Sequence, residues 1–130
     1  MTILILRTDK PEAEVGLFED EKKLAYEVWE SHRELAETIH IKIRNMLSKS
    51  NKSLDEIGGI VCFKGPGSFT GLRIGLTVAN SLAYSQNIPI VARAGSHWLE
   101  LGIKDLLAHQ NDKTAIPEYG APAKTTKPRK

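Results

Sequence analysis

The sequence predicts an α/β domain on a mixed five-stranded sheet, with an antiparallel three-strand meander and about three helices. Three observations carry this. Short apolar runs crowd the first 30 residues, separated by tight polar turns. The apolar period then changes from two to helical after Ser31. From Ile57 onward the signals alternate strand, helix, strand, helix, the pattern of an α/β layer.

Ile3-Leu4-Ile5-Leu6 is the first strand, and Arg7-Thr8-Asp9-Lys10-Pro11 turns the chain. Val15 to Phe18 is the second. Leu24 to Trp29 is the third, with Leu24, Tyr26 and Val28 on one face. Ser31-His32-Arg33-Glu34 has the form of a capping box, so a helix should run from about Arg33 to Leu47. Its stripe of Leu35, Ile39, Ile43, Met46 and Leu47 spans roughly 120°, a normal core-facing arc, and leaves Ile41 outside. Ile57 to Phe63 reads as a central strand covered on both faces. A second helix should run from about Ser68 to Gln86, and Ile88 to Val91 is the fifth strand. Ser96 is placed to cap a last helix over Trp98–His109.

The domain is therefore expected over residues 1–109. Residues 110–130 hold three prolines and five lysines or arginines with few apolar residues, and are expected to form a flexible basic tail. A net charge of +2 does not argue for a nucleic-acid or membrane surface. The apolar start is interrupted by Arg7 and Asp9, so neither a leader nor a membrane span is expected. Cys62, the single cysteine, lies in an apolar run and reads as a buried, reduced thiol of a cytoplasmic protein. No two of His32, His40, His97 and His109 have the i, i+4 spacing of a helical zinc site. Ser68 lacks a nucleophile elbow and reads as a helix cap. No catalytic or metal residue is expected.

The segment from Gly65 to Gly75, GPGSFTGLRIG, holds the most information. Gly65, Pro66 and Gly67 make a tight bend and Ser68 caps the helix that follows. Gly71 and Gly75 then sit inside that helix, at about 1 kcal/mol each relative to alanine. Gly71, Gly75, Ala79 and Ala83 form one ridge of small residues, flanked by Leu72 and Leu76 and by Ile74, Val78 and Leu82. The whole arc is roughly 200°, wider than a surface helix needs, so two sides should be covered. A glycine loop before a helix N-terminus can alternatively cradle a phosphate, although the Walker ending is absent.

This segment resembles the hallmark of the TsaB (YeaZ) group of bacterial tRNA-modification proteins. The likeness extends through Ser53–Ile60, Ala79–Ala83 and Ile88–Val91 and covers about residues 1–105. It implies a ribonuclease H-like lobe of the actin-like ATPase superfamily. It further implies a role in forming N6-threonylcarbamoyladenosine at position 37 of tRNA, as a non-catalytic partner of the catalytic subunit TsaD. TsaE would join that pair, and self-association through a similar surface is a further implication. ATP or ADP would bind only at a partner interface. An actin-like lobe that binds or hydrolyses nucleotide alone, or as a homodimer, is the alternative. The expected contact is the face of Gly71, Leu72, Arg73, Gly75, Leu76 and Ala79, with His40, Ile41 and Arg44 of the first helix.

Two departures from the group stand out. Its members carry Asp-Thr after the first strand, whereas Arg7 precedes Thr8 here, and a cation does not ligate Mg²⁺. The group's second lobe also has no counterpart between His109 and the Ile116–Tyr119 segment, which looks like the family's C-terminal end. Lys124, Lys127, Arg129 and Lys130 admit two readings: a solubilising end, or a contact to tRNA phosphates that is otherwise indirect.

Overall fold

The first apolar run alternates between the two faces of a sheet, and this sets the layering of the domain. The computed structural model describes residues 1–119, apart from the His32 side chain. The basic residues Lys124, Lys127, Arg129 and Lys130 thus lie outside the described residues. The strands are β1 (Thr2–Arg7), β2 (Glu12–Glu19), β3 (Lys22–Glu30), β4 (Ile57–Phe63) and β5 (Ile90–Arg93). The helices are α1 (Leu35–Lys49), α2 (Phe69–Gln86) and α3 (Trp98–Leu107). Five strands lie in the order β3-β2-β1-β4-β5. The β1-β2-β3 meander is antiparallel, and β1, β4 and β5 run parallel.

Leu4 and Leu6 of β1 face one core with Ile60 and Cys62, closed by Ile39 and Ile43 of α1 and by Leu76 and Ala79 of α2. Ile3 and Ile5 face the other, with Val61, Phe63 and Val91, closed by Trp98, Ile103 and Leu106 of α3. The sheet is thereby covered on both faces, as the unbroken apolar run of β4 predicts. Burial pushes the Cys62 thiol up to about 12, which keeps it protonated and inert.

Several local expectations are corrected. Ser31 does not cap α1: its amide and hydroxyl both donate to the Pro11 carbonyl, and a 3-10 turn over His32–Glu34 precedes the helix. The reciprocal Ser–Glu capping box belongs instead to Ser53 and Glu56, before β4. Ser96 caps nothing, since α3 follows His97 without a side-chain cap. On β3, Ala25 and Trp29 pack toward α1, while Leu24 and Val28 remain 37% and 54% exposed on the opposite face. The expectation that a flexible tail begins at residue 110 fails for residues 110–119, which are bound to the lobe. Among the described residues, no helix is long and apolar enough to cross a membrane.

Candidate functional site

The bend after β4 is shaped by what presses against it. The Gly65–Pro66 peptide is cis and Gly65 has φ of 121°, a conformation that disfavours any side chain. A Cβ on Gly65 would lie 2.0 Å from the Glu118 carbonyl oxygen, and one on Gly67 would lie 2.4 Å from Cβ of Asp9. The Ser68 amide donates to the Asp9 carbonyl at 3.0 Å, and the Ser68 hydroxyl accepts from the Gly71 amide at 3.4 Å, as the cap reading predicts. The open sides of both loop glycines are thus occupied by an acceptor oxygen and an acidic residue. The chain's own atoms thus fill the space that a phosphate cradled by these two glycines would take.

The small-residue ridge of α2 meets the chain's own first strand end. A Cβ on Gly71 would lie 2.2 Å from the Thr8 carbonyl oxygen, and one on Gly75 would lie 2.0 Å from Thr8 Oγ1. Thr8 is buried and its hydroxyl donates to the Gly71 carbonyl at 2.8 Å. Such a bond contributes about 1 kcal/mol net and offsets part of the helix penalty of the glycines. Leu72, Leu76 and Ala79 are buried in the same direction. This corrects the expected interface: Leu72, Gly75, Leu76 and Ala79 are buried within the domain, and Gly71, half-buried at the start of α2, packs against the Thr8 carbonyl.

Arg7 also has a specific place. Its Nε donates to Asp9 Oδ1 at 2.8 Å and an Nη donates to Oδ2 at 3.2 Å. The guanidinium carbon lies 3.9 Å from the Phe63 ring centroid and 5.9 Å from that of Trp98. The bond to Asp9 raises the Arg7 pKa further, so the cation is permanent. Both Asp9 oxygens are engaged by one guanidinium, and the pair closes on itself at the end of β1. This corner does not fit an Mg²⁺-bound nucleotide: its one carboxylate is already neutralised by a fixed cation. Among the described residues, no group of three or more His, Cys, Asp and Glu side chains is arranged to hold a metal ion.

The remaining surface of interest runs between α1 and α2. Ala36 lies with Phe69 and Thr70 at one end, and Leu47 lies with Leu82 at the other, so the helices run side by side in the same sense. Two hollows, about 340 Å³ and about 490 Å³, follow this groove, and His40 lines both. Ile74 and Val78 line the first, and Ile43, Leu54 and Leu82 the second. Of the nine residues expected at the contact, His40, Arg44 and Arg73 line the groove. Ile41 is 48% exposed on the outer side of α1 and lines neither hollow. Phe69, at 55% exposure, belongs to the groove and was missed; a large aromatic directly after the cap was the available signal.

Residues 110–119 form a strap across one end of this layer. The Asp112 amide donates to the Ile90 carbonyl at 2.8 Å, and the Asp112 carboxylate accepts from the Ala92 amide and from Arg93. The Asn80 side chain donates to the Ala115 carbonyl at 3.0 Å and accepts from its amide at 2.7 Å. The Tyr119 ring lies on Phe69, 4.6 Å between centroids. The strap therefore ends at the mouth of the groove. Asn80→Ala removes two partly buried hydrogen bonds and is expected to cost about 1–2 kcal/mol in urea unfolding, with faster hydrogen exchange at Ala115. Unchanged stability and exchange would show that the strap does not depend on Asn80.

Comparison with known proteins agrees with this architecture. The family model described as TsaD, tRNA N6-adenosine threonylcarbamoyltransferase, matches residues 29–97, a little over half of the chain. Over 92 residues the chain is 32% identical to the tRNA threonylcarbamoyladenosine biosynthesis protein TsaB of Bacillus subtilis, covering 71% of this chain and 40% of that protein. Over 107 residues it is 31% identical to the tRNA N6-adenosine threonylcarbamoyltransferase of Nitrosomonas eutropha, covering 70% and 32%. The chain thus spans about two fifths or less of the length of these curated relatives. Among solved structures, YeaZ from Pseudomonas aeruginosa superposes with a TM-score of 0.63 at 29% identity, over 72% of this chain and 45% of that one. Thermus thermophilus RuvC superposes with a TM-score of 0.51 at 11% identity, a likeness of ribonuclease H-like fold alone. With the family model matched through β4, the motif and α2, and with TsaB and YeaZ relatives agreeing in sequence and fold, the chain belongs to the TsaB (YeaZ) group of the threonylcarbamoyladenosine family.

Proposed function

We propose that this chain serves N6-threonylcarbamoyladenosine formation on tRNA as a non-catalytic partner, binding a TsaD-type transferase through the α1–α2 groove. The observation that carries the reading is the groove itself. It is an apolar furrow between two parallel helices, with Phe69 at its mouth, on a domain whose other helix face is fully occupied by its own sheet. Grooves of this kind take a helix presenting residues at i, i+3, i+4 and i+7. In this reading TsaE joins the pair, tRNA is met through the partner, and the lobe brings no cofactor of its own. ATP or ADP then enters only at a partner interface.

The test uses exposed groove positions, so that folding is preserved. Ala36→Gln with Thr77→Gln places two long neutral side chains in the hollow lined by Ile74 and Val78. Both substitutions suit a helix. Affinity for the TsaD-type subunit of the same source, measured by calorimetry, is expected to fall about tenfold or more, with the thermal midpoint unchanged. Threonylcarbamoylation assayed with both subunits should fall in parallel. Undiminished binding by the double variant would remove the groove from the reading.

A further inference from the structure

Phe69 opens α2 and stands 55% exposed at the mouth of the groove. A ring on the first turn of a helix has few neighbours to hold it, and a change of rotamer would carry it off the groove. What holds it is the end of the strap. The Tyr119 ring lies against it, with centroids 4.6 Å apart and planes tilted by 37°. Tyr119 lines neither hollow, so it touches Phe69 from outside the groove. Its own position is fixed by the residues before it. Ala115 is buried and exchanges two hydrogen bonds with the Asn80 side chain, further along α2. The Glu118 amide donates to the Lys64 carbonyl at 2.7 Å, and the Glu118 carbonyl fills the space beside Gly65 where no Cβ fits. Tyr119 follows directly. The strap thus links the middle of α2 to the aromatic ring at its start.

We infer that Tyr119 is a positioning residue: through it the strap holds Phe69 in the orientation a partner meets, so strap attachment and partner binding support one another. The inference rests on the groove being the docking site and adds how that site is regulated. A ring already fixed before association spares the partner part of the ordering cost. The coupling is reciprocal. If an attached strap favours binding, binding favours an attached strap by the same factor. A strap that competed for the groove's mouth would act in the opposite sense, and its release would strengthen binding. The placement argues against competition, because Tyr119 lines neither hollow and Phe69 keeps more than half of its surface open. Release of the strap, by loss of the Asn80 bonds or by cleavage before Tyr119, then weakens the groove without altering any residue that lines it.

The experiment compares the full chain with Tyr119→Ala, Tyr119→Phe, Phe69→Ala and the Phe69→Ala/Tyr119→Ala pair, each titrated with the TsaD-type subunit of the same source. Tyr119→Ala should keep its thermal midpoint and bind about three- to tenfold more weakly, the worth of one aromatic pair. Tyr119→Phe keeps the ring and should bind like the wild type. With Phe69 already replaced, removing Tyr119 should cost nothing further. In the free chain, three-bond couplings across χ1 of Phe69 should report one rotamer in the wild type and averaging in Tyr119→Ala. Saturating partner should slow hydrogen exchange at Ala115 and Glu118, neither of which lines the groove. Equal or tighter binding by Tyr119→Ala, with Ala36→Gln/Thr77→Gln still impaired, overturns the inference and leaves the docking site standing. Additive losses in the double variant overturn it as well, since Tyr119 would then touch the partner itself. So does strap exchange that the partner leaves unchanged. If the glutamine variant binds undiminished, the docking site itself is wrong and the inference falls with it.

Discussion

Gly75→Leu is expected to leave too little folded protein to purify, with a loss of more than about 4 kcal/mol. Even a single added Cβ would lie 2.0 Å from Thr8 Oγ1 and 2.8 Å from Thr8 Cγ2. Thr8 is buried and its hydroxyl is committed to the Gly71 carbonyl, so it cannot swing aside without losing that bond. Gly75→Ala gains about 1 kcal/mol in helix propensity and still loses about 2 kcal/mol net, because α2 must move off the end of β1. Adding Thr8→Ala to Gly75→Ala should recover part of the loss, since it removes the two clashing atoms beyond Cβ. Urea unfolding of the four proteins gives the coupling directly. If instead the ridge faced a partner, Gly75→Leu would leave the isolated chain as stable as the wild type and affect only binding. That outcome would reverse the present placement of the face.

Arg7→Ala carries the second large expectation, a loss of about 2–4 kcal/mol. The Asp9 side chain is only 7% exposed and receives both of its charge-assisted bonds from Arg7. Removing the cation leaves a nearly buried carboxylate uncompensated, which costs far more than an exposed pair is worth. The stacking of the guanidinium on Phe63 is lost as well. Arg7→Lys should be intermediate, because an ammonium keeps the charge but neither the two-point geometry nor the stacking. Arg7→Ala with Asp9→Ala should be less unstable than the sum of the single losses, by about 1–3 kcal/mol of coupling. Additive losses would show that the pair does not act as a unit. In the wild-type chain, added Mg²⁺ and ATP should leave the thermal midpoint unmoved, since this corner already holds its own counter-charge.

These two predictions concern residues that the sequence singled out, but for reasons the structure alters. The glycine helix stood out because its interior glycines are costly, and close packing was the right inference from that cost. The partner in that packing is Thr8, sixty-seven residues before Gly75, and not another protein. Arg7 stood out as a cation in place of an acid. Its pairing with Asp9, two residues on, makes the substitution a closed ion pair and not merely a missing ligand.

Local chemistry was sufficient for much of the fold. The period change after Ser31, the apolar run from Ile57 to Phe63 and the Ser68 cap are decided by residues within a few positions of one another, so they are legible without the third dimension. The family followed from the same short-range pattern. What only the tertiary structure decided depends on long-range contact. An apolar arc of roughly 200° says that two sides of α2 are covered but not by what. The sheet takes the glycine and alanine side, which leaves Phe69, Ile74 and Val78 for the groove. The Ser31 hydroxyl follows Pro11 and not its own helix, because the closing β2–β3 edge brings that carbonyl nearer. The strap over residues 110–119 is held by Asn80, Asn111 and Asp112 bonding to distant backbone. Side-chain-to-backbone bonds of that kind have no period in the sequence, and a polar, proline-containing segment held by them is indistinguishable there from a loose end.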